Sequence, residues 1–134
     1  MTDLNFKMSE LITSDTANIR KINNMPDINS LDAMLDLIVF CLQPLRERLK
    51  KPVIITSGYR SREVNKIVGG AQNSQHTRGQ AVDIVVNGLT PAQLTDFIVA
   101  QKDIPFDQLI NEYDRWTHIS YVKGKNRRQR FKIN

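Results

Sequence analysis

The chain has 134 residues, with 19 Lys or Arg against 14 Asp or Glu, a formal charge of +5, and 40% hydrophobic residues. That length supports one core but not two, and the charged and apolar fractions are those of a folded domain rather than a disordered chain. No stretch reads as a membrane span, and Met1 to Lys7 lacks a basic region followed by an apolar run, so neither a spanning segment nor a secretory signal is expected.

In chain order, residues 8–12 read as a short helix with Leu11 and Ile12 facing inward, and 23–29, with Pro26 inside, as a loop. Asn29 or Ser30 then caps the strongest helix, whose Leu31, Met34, Leu35, Ile38, Leu42, Leu45 and Leu49 recur at helical spacing. Pro44 should kink it or break one turn. Cys41, the single cysteine, lies among apolar neighbours and reads as a buried structural thiol, consistent with synthesis in a reducing cytoplasm. Lys51-Pro52 ends the helix, and Val53 to Ser57 has the β-branched run of a buried strand. Ser61 caps a helix over 62–68, which Gly69-Gly70 stops. Residues 71–80 form a polar loop, and Ala81 to Val86 a second strand. Thr90-Pro91 opens a helix to about Gln101, and 107–112 with 116–121 form a hairpin around Tyr113-Asp114-Arg115. The class is therefore α+β, a small, largely antiparallel sheet flanked by helices, in one domain over 1–134. Residues 123–134 carry six basic side chains and read as a solvated basic tail; with Phe131 as their single aromatic residue, stacking on bases has little support, so no specific nucleic-acid partner is expected.

The residues that stand out chemically are the two histidines, His76 and His118, and Asp83. An aspartate inside Ala-Val-Asp-Ile-Val-Val occupies a strand interior, where the residue is disfavoured and its carboxylate needs a cation, backbone donors or a metal. His118 sits in the strand-like Trp-Thr-His-Ile-Ser, and His76 seven residues before Asp83. Two imidazoles and a carboxylate would fill three positions of a zinc site and leave a fourth for water; satisfied core polar groups are the competing explanation. Arg60 follows a strand, where it could grip a carboxylate or carbonyl oxygen, or make an ion pair with Asp83 or Glu63. Ser74 and Ser120 could orient ligands or bind substrate, and Trp116 could wall a pocket or pack in the core.

Ser57-Gly58-Tyr59-Arg60-Ser61, Val64-Asn65, Gly69-Gly70, Asn73-Ser74-Gln75-His76, Gly79-Gln80-Ala81-Val82-Asp83-Ile84 and Trp116-Thr117-His118-Ile119-Ser120 together resemble the zinc D-Ala-D-Ala carboxypeptidases. That group includes vancomycin-resistance dipeptidases, phage L-Ala-D-Glu endolysins and the hedgehog signalling domain, and the likeness is closest to its short single-domain members. The resemblance implies that His76, Asp83 and His118 bind one Zn²⁺ and that a peptidoglycan stem peptide is cut by metal-activated water, with Arg60 stabilising the negative oxygen. Many relatives place an acid three residues before the last histidine, where this chain has Arg115; Glu112 and Asp114 are the acidic candidates for the base. A three-residue loop over 113–115 pairs Glu112 with Trp116 and puts Glu112 on the face of His118, which favours Glu112. A non-catalytic zinc module that binds cell wall is the alternative. A monomer is expected, acting on the wall after release from the cell or as a virion component.

Overall fold

Five strands make one sheet in the computed structural model, which describes residues 4–134. They are β1 (Ile54–Ser57), β2 (Ala81–Val85), β3 (Gln108–Glu112), β4 (Trp116–Ser120) and β5 (Gln129–Ile133), in the order β1-β2-β4-β3-β5. Every neighbouring pair is antiparallel except β3 and β5. Helices α1 (Met8–Ile12), α2 (Asp15–Arg20), α3 (Ile28–Leu37), α4 (Gln43–Leu49), α5 (Arg62–Ile67) and α6 (Pro91–Ala100) accompany it, giving the expected α+β class.

Helix ends follow side-chain chemistry. Ser61 accepts from the Val64 N–H at the start of α5, and Thr90 with Gln93 forms a reciprocal capping box at α6, both as the sequence indicates. The main helix differs. Its cap is Asp27, whose Oδ1 accepts the Ser30 N–H at 2.7 Å, and Ser30 is buried in the first turn. Helix α2 was not anticipated, because it buries only Ala17 and has no apolar stripe to read.

Between α3 and α4 the chain makes a π-turn over Ile38–Leu42, in which the Gln43 N–H reaches back to the Ile38 carbonyl. Pro44 lacks an N–H and its ring would crowd the Phe40 carbonyl of a regular helix; a wider turn immediately before it accommodates the ring without ending the helix. The buried stripe runs through Met34, Leu37, Cys41, Leu42 and Leu45 and leaves Leu35, expected inward, 47% exposed. Taken as one unit, Ile28–Leu49 has the length and apolarity of a membrane-crossing helix, contrary to the reading from sequence. Its apolar side is occupied by the core: Leu11, Val82, Ile84, Phe106, Leu109 and Ile119 belong to the same buried cluster.

Two strand expectations change. β1 is a sheet edge rather than a buried strand, with Ile54 40% exposed, because only β2 pairs with it. The basic segment is not a free tail: residues 129–133 pair in parallel with β3, and Arg127, Arg130 and Lys132 are paired with Asp107, Asp96 and Asp114. Arg128 donates to the Ile104 carbonyl and lies over the Phe106 ring. Three of the segment's six basic side chains are therefore ion-paired within the fold.

Candidate metal centre

The register of β2 against β4 sets Asp83 directly opposite His118, and β1 places Ser57 opposite Asp83 on the other side. His76 arrives from a 3-10 turn over Gln75–Arg78. Ser74 Oγ caps that turn by accepting the His76 N–H at 3.2 Å, and Gly79 closes it at φ 71°, a left-handed conformation glycine adopts freely. A side chain at Gly79 would meet the Ser30 carbonyl and Met34 of α3, so the turn rests directly on the core helix.

His76 Nδ1 lies 2.8 Å from the Gly58 carbonyl oxygen. A carbonyl only accepts, so Nδ1 carries the proton and Nε2 of the neutral ring presents a lone pair. That nitrogen is 3.3 Å from Asp83 Oδ1, and His118 Nδ1 is also 3.3 Å from the same oxygen. Bonds of about 2.0–2.1 Å in a tetrahedral zinc site require ligand atoms roughly 3.3 Å apart, so the two spacings fit such an ion. All three donor atoms lie within 4.8 Å of one another, and the residues are 3%, 5% and 7% exposed. Asp83 Oδ1 is fully buried and has no hydrogen-bond partner, as expected of an oxygen whose partner is a cation. Burial raises the Asp83 carboxyl, whereas positive charge at this place, carried by protonated His118 and His76 rings, lowers it well below the usual carboxylate range; a cation bound between neutral rings would act in the same direction. Buried donors that converge in this way suit a divalent metal with a preference for nitrogen and oxygen.

Glu112 stands beside the triad. The loop 113–115 has three residues, with Tyr113 and Asp114 left-handed at φ 60° and 56°, and it pairs Glu112 with Trp116. Glu112 Oε1 then lies 3.4 Å from His118 Nδ1. Its carboxyl is pushed above the ordinary value, first by burial and then by the negative Asp83, with the histidines and Trp116 acting against that rise. Asp114 is placed differently: its side chain is 62% exposed, accepts from Asn111 Nδ2 at 2.9 Å and pairs with Lys132.

Arg60 closes the other side. Its Nη2 is 3.7 Å from Asp83 Oδ2, Nε donates to Ser57 Oγ and Nη1 to Asn65 Oδ1. Asn65, among the residues of the family resemblance but given no role there, is itself fixed by donating to the Ala71 carbonyl at 2.9 Å. A Cβ on Gly70 would strike the Asn65 side chain and come within 2.7 Å of Arg60 Nη1, so any other residue here displaces those two side chains.

A family model for peptidase M15 matches residues 4–120. The chain belongs to the peptidase M15 family. M15 peptidases are zinc enzymes, which makes this chain a metallopeptidase with a donor set that fits their metal. No curated protein matches the chain.

Within this M15 peptidase the two serines have different surroundings. Ser74 shapes the turn that carries His76, as above. Ser120 is fully buried, its Oγ accepting the Gln108 N–H at 2.9 Å, so it is not available to a substrate and instead ties β3 to β4 near His118. Trp116 packs edge-on against Tyr113 with centroids 5.7 Å apart. A cleft of about 890 Å³ runs along the exposed edge of β1 and reaches the metal centre through Ser57 and Arg60 but includes none of the three donors.

Proposed function

We propose that the protein is a zinc-dependent peptidase that cleaves peptidoglycan stem peptides, at a D-Ala-D-Ala or an L-Ala-D-Glu bond. The observation that carries the reading is the convergence of three buried donor atoms at tetrahedral spacing with a half-buried carboxylate 3.4 Å from one of them. His76 Nε2, Asp83 Oδ1 and His118 Nδ1 would hold the zinc, with the fourth position open. The ion, when bound, supplies Lewis acidity that makes water nucleophilic near neutral pH and polarises a carbonyl.

The remaining chemistry belongs to side chains. Glu112 accepts the proton that the attacking water gives up and returns it to the leaving amine nitrogen; burial beside Asp83 raises its proton affinity toward the range in which one group does both. Arg60, held by Ser57 and Asn65, presents a fixed guanidinium to the oxygen that becomes negative in the tetrahedral intermediate. Ser74 and the Gly58 carbonyl keep His76 in the tautomer and orientation the site needs. Acting as a monomer, the protein reaches the wall after release from the cell or as part of a virion.

Digestion of purified peptidoglycan by the zinc-loaded protein, followed by mass spectrometry of the released peptides, tests the reading and identifies the bond. New products that vanish on chelation and in His118→Ala support it. Stoichiometric zinc and wall binding without any product would instead make the chain a non-catalytic zinc module.

A further inference from the structure

Asp107 is a carboxylate at 1% exposure that lies outside the metal centre, and it accepts four N–H donors. Three come from Arg127: its backbone N–H at 3.0 Å, Nε at 2.9 Å and Nη2 at 2.8 Å. The fourth is Gln75 Nε2 at 2.8 Å. A carboxylate so deeply buried is costly unless its lone pairs are filled, and the planar guanidinium fills two of them in a fixed geometry. With Arg127 in place, the oxygen left for Gln75 has one position.

Gln75 immediately precedes His76 and opens the turn that presents it. Its carbonyl also accepts the Gln80 N–H at 3.0 Å. The turn therefore has anchors on two sides: toward β1, His76 Nδ1 on the Gly58 carbonyl and the Arg60 N–H on the His76 carbonyl at 3.0 Å, and, as a second anchor just before β3, Gln75 Nε2 on Asp107. Arg127 lies beyond residues 4–120, the span matched by the family model, so part of this second anchor is supplied by chain outside that span.

We propose that Arg127 is a positioning residue for the metal centre, acting through Asp107 and Gln75 to fix the turn that carries His76. The inference rests on the metal reading above. It concerns where a ligand is held, not the reaction.

The test measures binding of Zn²⁺ alone, by competition with a chromophoric chelator, and the visible spectrum of the Co²⁺-loaded protein. Arg127→Ala and Gln75→Ala should each weaken Zn²⁺ about tenfold, the lower end of what loss of an outer hydrogen-bond partner costs a metal site. The double variant should lose no more than either alone, because both break one chain of contacts. Arg127→Lys should recover part of the affinity. Arg130→Ala breaks a different anchor of β5, the Asp96 pair, and should leave the affinity and the Co²⁺ spectrum unchanged. Gln75→Ala leaves the Asp107–Arg127 pair whole and so remains a folded test if Arg127→Ala does not fold. Equal Zn²⁺ affinity in parent and Gln75→Ala, or equal losses in Arg127→Ala and Arg130→Ala, would overturn the proposal. Absence of Zn²⁺ binding by the parent would overturn the metal reading instead.

Discussion

Replacing Glu112 by Gln removes one negative charge and the ability to take up a proton while keeping the side chain's size and its place opposite Trp116. The half-buried carboxylate stands 3.4 Å from His118 Nδ1, and among the described residues the other acid at that nitrogen is Asp83, itself one of the three donors; Asp114 points away into its pair with Lys132 at 3.0 Å. A positioned general base contributes about 10²- to 10⁴-fold, which corresponds to roughly 3–5 kcal/mol of transition-state stabilisation. Glu112→Gln should therefore lower kcat on a stem peptide by that factor with KM little changed, as measured by quantitative mass spectrometry of product over time. Zinc content should stay at one ion per chain, since the three donors are untouched. Asp114→Asn should keep near-parental turnover, because its carboxylate serves the loop, where it accepts from Asn111. Full activity in Glu112→Gln, or a large loss confined to Asp114→Asn, would refute this placement of the base.

Zinc at a hundred times its Kd should stabilise the fold by about 2.7 kcal/mol, a rise of roughly 10 °C in unfolding midpoint for a domain of this size; scanning calorimetry should show that rise vanish in Asp83→Asn. Gly70→Ala should push Asn65 and Arg60 apart and cost at least tenfold in kcat/KM, with zinc affinity retained, as a titration and a rate assay on one preparation would show. Asp107 has its carboxyl lowered from 3.8 to about 2, chiefly by the Arg127 side chain. A folded pKa below the unfolded one gives stability that is complete above about pH 4 and is lost as the pH falls toward 2. Urea midpoints across that window should fall in the parent and fall less steeply in Arg127→Ala.

The local signals in the sequence were legible where one residue decides an outcome. Ser61 and Thr90 cap the helices they precede, and of the two loops the hairpin allowed, three residues at 113–115 or two at 114–115, the structure has the three-residue one, which pairs Glu112 with Trp116. The metal triad was visible because His118 and Asp83 are polar residues in strand interiors, an arrangement that needs a shared cause. What escaped depended on partners distant in the chain. The charged segment 127–133 makes sense only with Asp107, Asp96 and Asp114 as its partners, and those acids lie just before β3, in α6 and in the β3–β4 loop. Asp27 rather than Asn29 begins the main helix because its carboxylate finds the Ser30 N–H, a choice among three adjacent capping residues that composition does not make. Ser120 looked like a site residue because it lies two positions after His118 and shares its face of β4, but it is fully buried and its Oγ is taken by the Gln108 N–H at the edge of the β3 pairing.

The seat of the Gly79 turn against Ser30 and Met34 has a further consequence. In many enzymes the scaffold can drift by compensating core substitutions while the active site holds still. Here the backbone that carries His76 rests on the first turns of the main helix, directly against the Ser30 carbonyl and the Met34 side chain. Changes of volume at Met34 would reach His76 directly, so mutational robustness and activity are tied together in this protein. Selection for metal binding would then constrain the buried face of α3 as tightly as it constrains the ligands themselves.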